Sequence, residues 1–211
     1  MIKSIIYTLT YIIFFIVVAI VLFINLAPQF GSNPSSEQKV FYDSFPNYSK
    51  GGFENFEATP MMTGEISTWD FFKEDSSRKP TSAILPKSIN FDSFAKTNSD
   101  YRLAWLGHSA FLINVMGKII LLDPMLGSHA APIPLPNLKR FNEVLPIKLD
   151  SVDRIDFVVI SHDHYDHLDY STIKLLKDKV SKFLAPHGIG NHLKKWGVKS
   201  NQIVELNWNE S

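Results

Sequence analysis

The chain has 211 residues, 45% of them hydrophobic and 13% aromatic, which is ample for a packed core and excludes a disordered protein. Lysine plus arginine and aspartate plus glutamate balance at 21 each, so net charge recommends no polyanionic partner such as nucleic acid. There is no cysteine, which excludes disulfides and thiolate metal sites and leaves histidine and carboxylates as the available metal ligands.

The first predicted element is apolar throughout. No charge interrupts Ile5 to Leu26, and a helix of that length spans about 33 Å, close to the ~30 Å of a hydrocarbon core. A signal peptide would carry a shorter apolar region of ~7–15 residues ending at a small-residue cleavage site. Residues 1–26 are therefore expected to form a single-pass anchor in the lipid bilayer. Lys3 precedes the span and the next basic residue is Lys39, so the charge bias places the N-terminus in the cytoplasm and the rest outside.

Residues 27–99 read as linker and extension. Pro28, Gly31, Pro34, Ser35 and Ser36 form a breaker-rich stretch expected to lead away from the membrane. Aromatic residues between Phe41 and Pro60 are interleaved with Gly51 and Gly52, as in irregular chain packed on a larger body. Ile66 to Glu74 has the makings of a short helix carrying Trp69, Phe71 and Phe72, closed by Ser76, Ser77 and Pro80.

Residues 100–211 carry the chemistry. Leu103–Leu106, Phe111–Val115 and Ile119–Leu122 are β-rich runs punctuated by Gly107 and Gly117, expected to pair as strands. Ile155–Ile160 is nearly continuous in apolar residues, the pattern of a strand buried on both faces. At its C-terminal end stands His162-Asp163-His164-Tyr165-Asp166-His167, where α/β sheets usually place ligands. Residues two apart on extended chain project to one side, so His162 and His164 can grip one ion, while Asp166 and His167 follow after the turn. Imidazole and carboxylate at this density suit zinc, with manganese or iron as alternatives, and poorly suit calcium. A helix N-capped by Asp169 should follow, with Ile173, Leu176 and Val180 on one face. Lys182–Pro186 reads as another strand, and Asn191–Trp196 as a short helix ended by Gly197.

Ser161-His162-Asp163-His164-Tyr165-Asp166-His167-Leu168-Asp169, preceded by Trp105-Leu106-Gly107-His108-Ser109 and Leu121-Leu122-Asp123-Pro124, resembles the metallo-β-lactamase-fold hydrolases. The pattern is most similar to the branch containing N-acyl-phosphatidylethanolamine-hydrolysing phospholipase D, and Pro46-Asn47-Tyr48 through Phe53, Asn55 and Pro60 extends that likeness. The resemblance implies an α/β fold of αββα sandwich type, two metal ions, and hydrolysis of a phosphodiester or ester by a metal-bound hydroxide. It implies that His162 and His164 hold the first metal and Asp166 and His167 the second. Asp123 would orient the metal loop from behind, with Asp163 beside it in a supporting position. Asp166 and His108 are the catalytic candidates, His108 as a group approaching the site from the first strands. His187, at the end of a strand, is a conceivable substitute ligand, with a core or surface histidine as the other reading; His192 is read as structural; and His129 precedes a Pro-rich loop, Ala131 to Pro136, that in this family would border the substrate cleft.

The family's second αβ half supplies a further histidine, a bridging aspartate and a final histidine, and the residues after His192 offer no such ligands. The expectation is therefore the N-terminal half of the sandwich behind one transmembrane helix. Three readings stay open: a phospholipid-directed hydrolase, a non-catalytic relative, and a half-domain whose remaining ligands come from a partner chain. The half sandwich should expose the sheet face that the other half covers.

Overall fold

The hairpins of the central sheet begin from local turn chemistry. Val115 pairs with Lys118 across Met116-Gly117, both at positive φ (49° and 81°), the two-residue turn whose twist matches that of its strands. The computed structural model describes residues 1–57, 59, 80–82, 84–96, 101–142 and 144–210. The helix expected at Ile66–Glu74 lies outside the described residues.

An N-terminal helix α1 (Ile2–Leu26) is followed by a 3₁₀ turn at Pro28–Phe30, helix α2 (Ser36–Tyr42) and a small hairpin of β1 (Tyr48–Ser49) and β2 (Gly52–Phe53). Short helix α3 (Phe91–Ala95) precedes a six-stranded sheet in sequential order. Strands β3 (Tyr101–Gly107), β4 (Ala110–Val115) and β5 (Lys118–Leu122) form an antiparallel meander. Strands β6 (Ile155–Val159), β7 (Val180–Pro186) and β8 (Ile203–Leu206) continue it in parallel, linked through α4 (Tyr170–Leu176) and α5 (Ile189–Lys195). The architecture is thus mixed α/β, with meander and βαβ units in one sheet.

One face of this sheet carries the core. Leu106, Leu112, Leu121, Val158, Ile160 and Phe183 pack there against Ile173 and Leu176 of α4 and Leu193 of α5. Asn114 is fully buried among them because its amide donates to the carbonyls of Phe94 and Ala95 while its oxygen accepts from Gly117 N–H. The other face is left open. Leu103 and Trp105 are each 63% exposed, and Phe157 and Val159 are half-buried. β6 is therefore tightly covered on one face rather than on both, although its apolar run has the composition of a doubly buried strand.

Two boundaries move relative to the sequence reading. Helix α4 stops at Leu176, and Val180 opens β7 instead of extending the helical face, because Lys179 N–H turns back to the carbonyl of Leu176. The expected linker after α1 is also not free. Trp196 Nε1–H donates to the carbonyl of Pro28 (2.7 Å), Lys195 Nζ to that of Gly31 (2.5 Å), and Ser32 N–H to His192 Nδ1 (2.9 Å). Breaker residues fix this stretch in an irregular path laid along α5.

Candidate metal centre

The site is built where two strand ends meet. β5 ends at Asp123, which adopts a positive φ of 40°, uncommon for a residue other than glycine, and is tied by its N–H to the carbonyl of Val159. This turns the buried Asp123 carboxylate toward the loop that leaves β6. Its Oδ1 accepts from Ser161 N–H (2.7 Å), and its Oδ2 accepts from Ser161 Oγ–H (2.7 Å) and from His167 Nδ1–H (2.9 Å). Asp123 thereby ties the end of β5 to the loop after β6.

These bonds decide which ring nitrogens carry protons. Ser161 spends its single hydroxyl proton on Asp123, so the contact between its Oγ and His162 Nδ1 (2.9 Å) must be donated by the imidazole. Nδ1 is therefore the donor in both His162 and His167, and Nε2 is the nitrogen each ring has left to offer an ion. Backing a histidine with a carboxylate or hydroxyl in this way is how proteins orient imidazoles for a metal ion. Burial, followed by the neighbouring His167 and His164, also holds the His162 imidazolium pKa below its ordinary value, which favours the neutral, metal-competent form.

The remaining members lie close by. The His162 ring is 4.1 Å from that of His167 and 4.6 Å from that of His164, centroid to centroid. His167 Nε2 is 3.7 Å from Asp166 Oδ2, and His108 Nε2 is 2.9 Å from the same oxygen. Donor atoms of His108, Asp166 and His167 lie within 4.8 Å of one another, a spacing compatible with one shared ion at metal–ligand distances of about 2.0–2.2 Å. His108 reaches the cluster from the turn between β3 and β4, at φ 48°, with its carbonyl accepting from Trp105 Nε1–H (2.7 Å). It stands among the potential ligands rather than only beside them.

Asp163 departs from its expected supporting place. It is exposed and, among the described residues, makes no hydrogen bond to the histidines. A different bracing role belongs to Asp169, 1% exposed, which the sequence marks only as a helix cap. Asp169 caps α4 through Thr172 N–H (3.0 Å), and its Oδ2 also accepts from Leu126 N–H (3.1 Å) and Gly127 N–H (3.0 Å). One carboxylate thus pins the loop after β5 to the end of the metal loop. Gly127 permits the approach, since a Cβ there would sit 2.8 Å from Ser171 Oγ. The capping pattern was visible in sequence, but the long-range partners were not. Tyr165, next to Asp166, has its hydroxyl pushed up to about 12 by burial and remains protonated at neutral pH.

The other histidines are held elsewhere. His187, at the end of β7, is surrounded by the rings of Phe41, Tyr42, Phe45 and Phe53 at 4.8–6.0 Å. His192 faces the segment after α1, and His129 contacts Ser128 Oγ at 2.9 Å.

Residues 118–211 match the model of the Beta-lactamase superfamily domain. The similarity covers that segment, which holds β5–β8 and the histidine-rich motif. It is 34% identical over 187 residues to an uncharacterised protein of Mycobacterium tuberculosis, covering 86% of this chain and 49% of that one. It is also 34% identical over 142 residues to N-acyl-phosphatidylethanolamine-hydrolyzing phospholipase D 1 of Caenorhabditis elegans, covering 64% of this chain and 39% of the relative. A metal-dependent hydrolase of Saccharolobus solfataricus is 30% identical over 109 residues, covering 50% and 42% respectively. The chain spans about half the length of the curated relatives it matches.

Proposed function

We propose that this chain carries the metal-binding half of the active site of a metal-dependent hydrolase acting on an ester or phosphodiester of phospholipid type. The observation that carries the reading is the Asp123 hub, which with Ser161 engages Nδ1 of His162 and of His167 and leaves Nε2 as the nitrogen of each ring open to an ion, that of His167 lying 3.7 Å from Asp166 Oδ2. The donor set fits divalent ions, with His162 and His164 as holders of a first, Asp166 and His167 of a second, and His108, whose donor atom lies with those of Asp166 and His167, as an additional one. Zinc is the favoured ion by donor chemistry, two ions are implied by the family, and manganese or iron are the alternatives. Such an ion, when bound, acidifies water and polarises the scissile oxygen.

The protein's own groups divide the remaining work. Asp123 and Ser161 hold the rings in register. Asp166 Oδ2, within hydrogen-bond reach of His108 Nε2, is the place where a proton is taken up or returned. A cavity of about 1100 Å³ runs from His108 and Asp166 between Phe94, Leu106, Leu138 and Phe141, and its largely apolar walls suit an acyl chain. The phospholipase D relative and the apolar helix α1 favour the same substrate class. In this reading residues 1–26 are the membrane anchor, 27–99 an extension that braces the fold, and 100–211 the catalytic unit, on the extracytoplasmic side.

A second reading is favoured by the exposed Leu103 and Trp105 on the open sheet face: a half-site completed by another polypeptide. One experiment separates the two. The detergent-solubilised full chain and its His162→Ala, His164→Ala variant are compared for bound metal by elemental analysis and for hydrolysis of a generic phosphodiester. Stoichiometric metal lost in the variant, with turnover, establishes the hydrolase. Metal without turnover supports the completed half-site, and absence of metal overturns both.

A further inference from the structure

A chain of zero net charge hides a local imbalance. From Tyr170 to Gln202, which spans α4, β7 and α5, there are seven lysines and a single carboxylate, Asp178. Lys174 of α4, Lys194 and Lys195 of α5, and Lys199 just beyond it are all exposed. Lys177 lies against the end of α5, where a Cβ on Gly197 would meet its side chain at 3.6 Å. The two helices follow successive parallel strands and share one side of the sheet, so these ammonium groups form a single basic surface.

The segment leaving α1 is bound to this same layer. Pro28, Gly31, Ser32 and Gln38 meet Trp196, Lys195, His192 and Asn191 in antiparallel order, the last through Gln38 Nε2–H to Asn191 Oδ1 at 2.7 Å. Phe23, in the last turns of α1, stacks edge-on against Phe30 at 5.5 Å. Gly31 makes the approach feasible: its φ is 68°, and a Cβ would fall 1.8 Å from His192 Nδ1. The strap leaves little free chain between the apolar helix and the basic layer.

We propose that the α4–α5 face is a membrane-contact surface for anionic lipid headgroups, held against the bilayer by the 28–38 strap. The inference rests on α1 being a membrane anchor. Charge complementarity supplies the attraction, since lysines close to an anionic leaflet are drawn to it over a Debye length of about 8–10 Å. The strap, bonded to α5 two residues after α1 ends, keeps the lysines within that range.

The test uses the full chain, which has no native cysteine, with a single fluorophore at Ser200→Cys or, as control, at Leu103→Cys on the opposite sheet face. Each protein is reconstituted in phosphatidylcholine vesicles with or without phosphatidylglycerol, all containing a nitroxide-headgroup lipid. The Ser200 label should be quenched more strongly than the Leu103 label, and only when phosphatidylglycerol is present. Reversing Lys174, Lys194 and Lys199 to Glu should shift the docked population about a hundredfold or more toward the undocked state, and Gly31→Ala should weaken quenching without releasing the chain from vesicles. Failure to co-float with neutral vesicles overturns the anchor and with it this proposal. Co-flotation with equal quenching at both labels, or quenching indifferent to phosphatidylglycerol or to charge reversal, overturns the docked face alone. Lysine-dependent binding of a duplex oligonucleotide without lipid quenching assigns the face to nucleic acid and also overturns it.

Discussion

At the scale of single residues, Asp123 has the most consequence. Its carboxylate accepts three hydrogen bonds from the strand end that bears the metal motif, and it does so from a left-handed backbone conformation. Such strain persists where surrounding contacts over-determine it. Asn at this position keeps the shape but replaces an acceptor oxygen with an amide donor, so it clashes with a Ser161 or His167 proton. Asp123→Asn should therefore lower metal affinity by about 10–100-fold, the range usual for residues that back metal ligands. Competition against a chromophoric chelator measures the loss, and an unchanged far-ultraviolet dichroism spectrum would separate it from unfolding.

At the scale of elements, buried carboxylates join neighbouring segments. Asp169 connects the start of α4 to the loop after β5, and Asp169→Ala removes a helix cap while leaving the N–H groups of Leu126 and Gly127 without their acceptor. The expected destabilisation is on the order of 3 kcal/mol, read from the denaturation midpoint. Asp156 of β6 links to β5 through Ile119 N–H (3.0 Å) and to the ammonium and guanidinium of Lys118 and Arg154. Burial pushes this carboxyl up, but the Ile119 N–H and the two cations outweigh it and hold the pKa below the ordinary value. A depressed folded pKa means its stabilisation is present above the unfolded pKa of ~3.9 and disappears as the pH falls through the folded value. Asp156→Asn should accordingly lower the melting temperature at neutral pH and flatten its fall in acid, as followed by thermal melts across a pH series.

At the scale of the molecule, α1 is a 25-residue apolar helix that contributes no buried residue to the core. Its length and composition suffice for a bilayer crossing. The full chain should remain with membranes through alkaline carbonate washing. Val17→Arg with Val18→Arg should release it, since each arginine at a span centre costs about 2.5–3.5 kcal/mol on insertion scales. Retention of the double variant would remove the anchor from the account.

The apolar N-terminal run, the meander and the βαβ units were legible in the sequence, because side-chain periodicity and turn residues are local properties. Asp169 as a helix cap was legible for the same reason, and the proposed metal motif His162-x-His164-x-Asp166-His167 is likewise written within a few residues. What only the tertiary structure decided is long-range. The protonation of His162 and His167 depends on Asp123, some forty residues away; Asp163 and Asp169 look alike in sequence, but only Asp169 is buried among N–H donors. The stretch after α1 has a linker's composition and becomes a strap only because α5, over 150 residues later, offers it donors and an acceptor. Local pattern fixes which groups are available, whereas folding fixes which of them meet, and a site made of hydrogen bonds between distant segments is settled by the second.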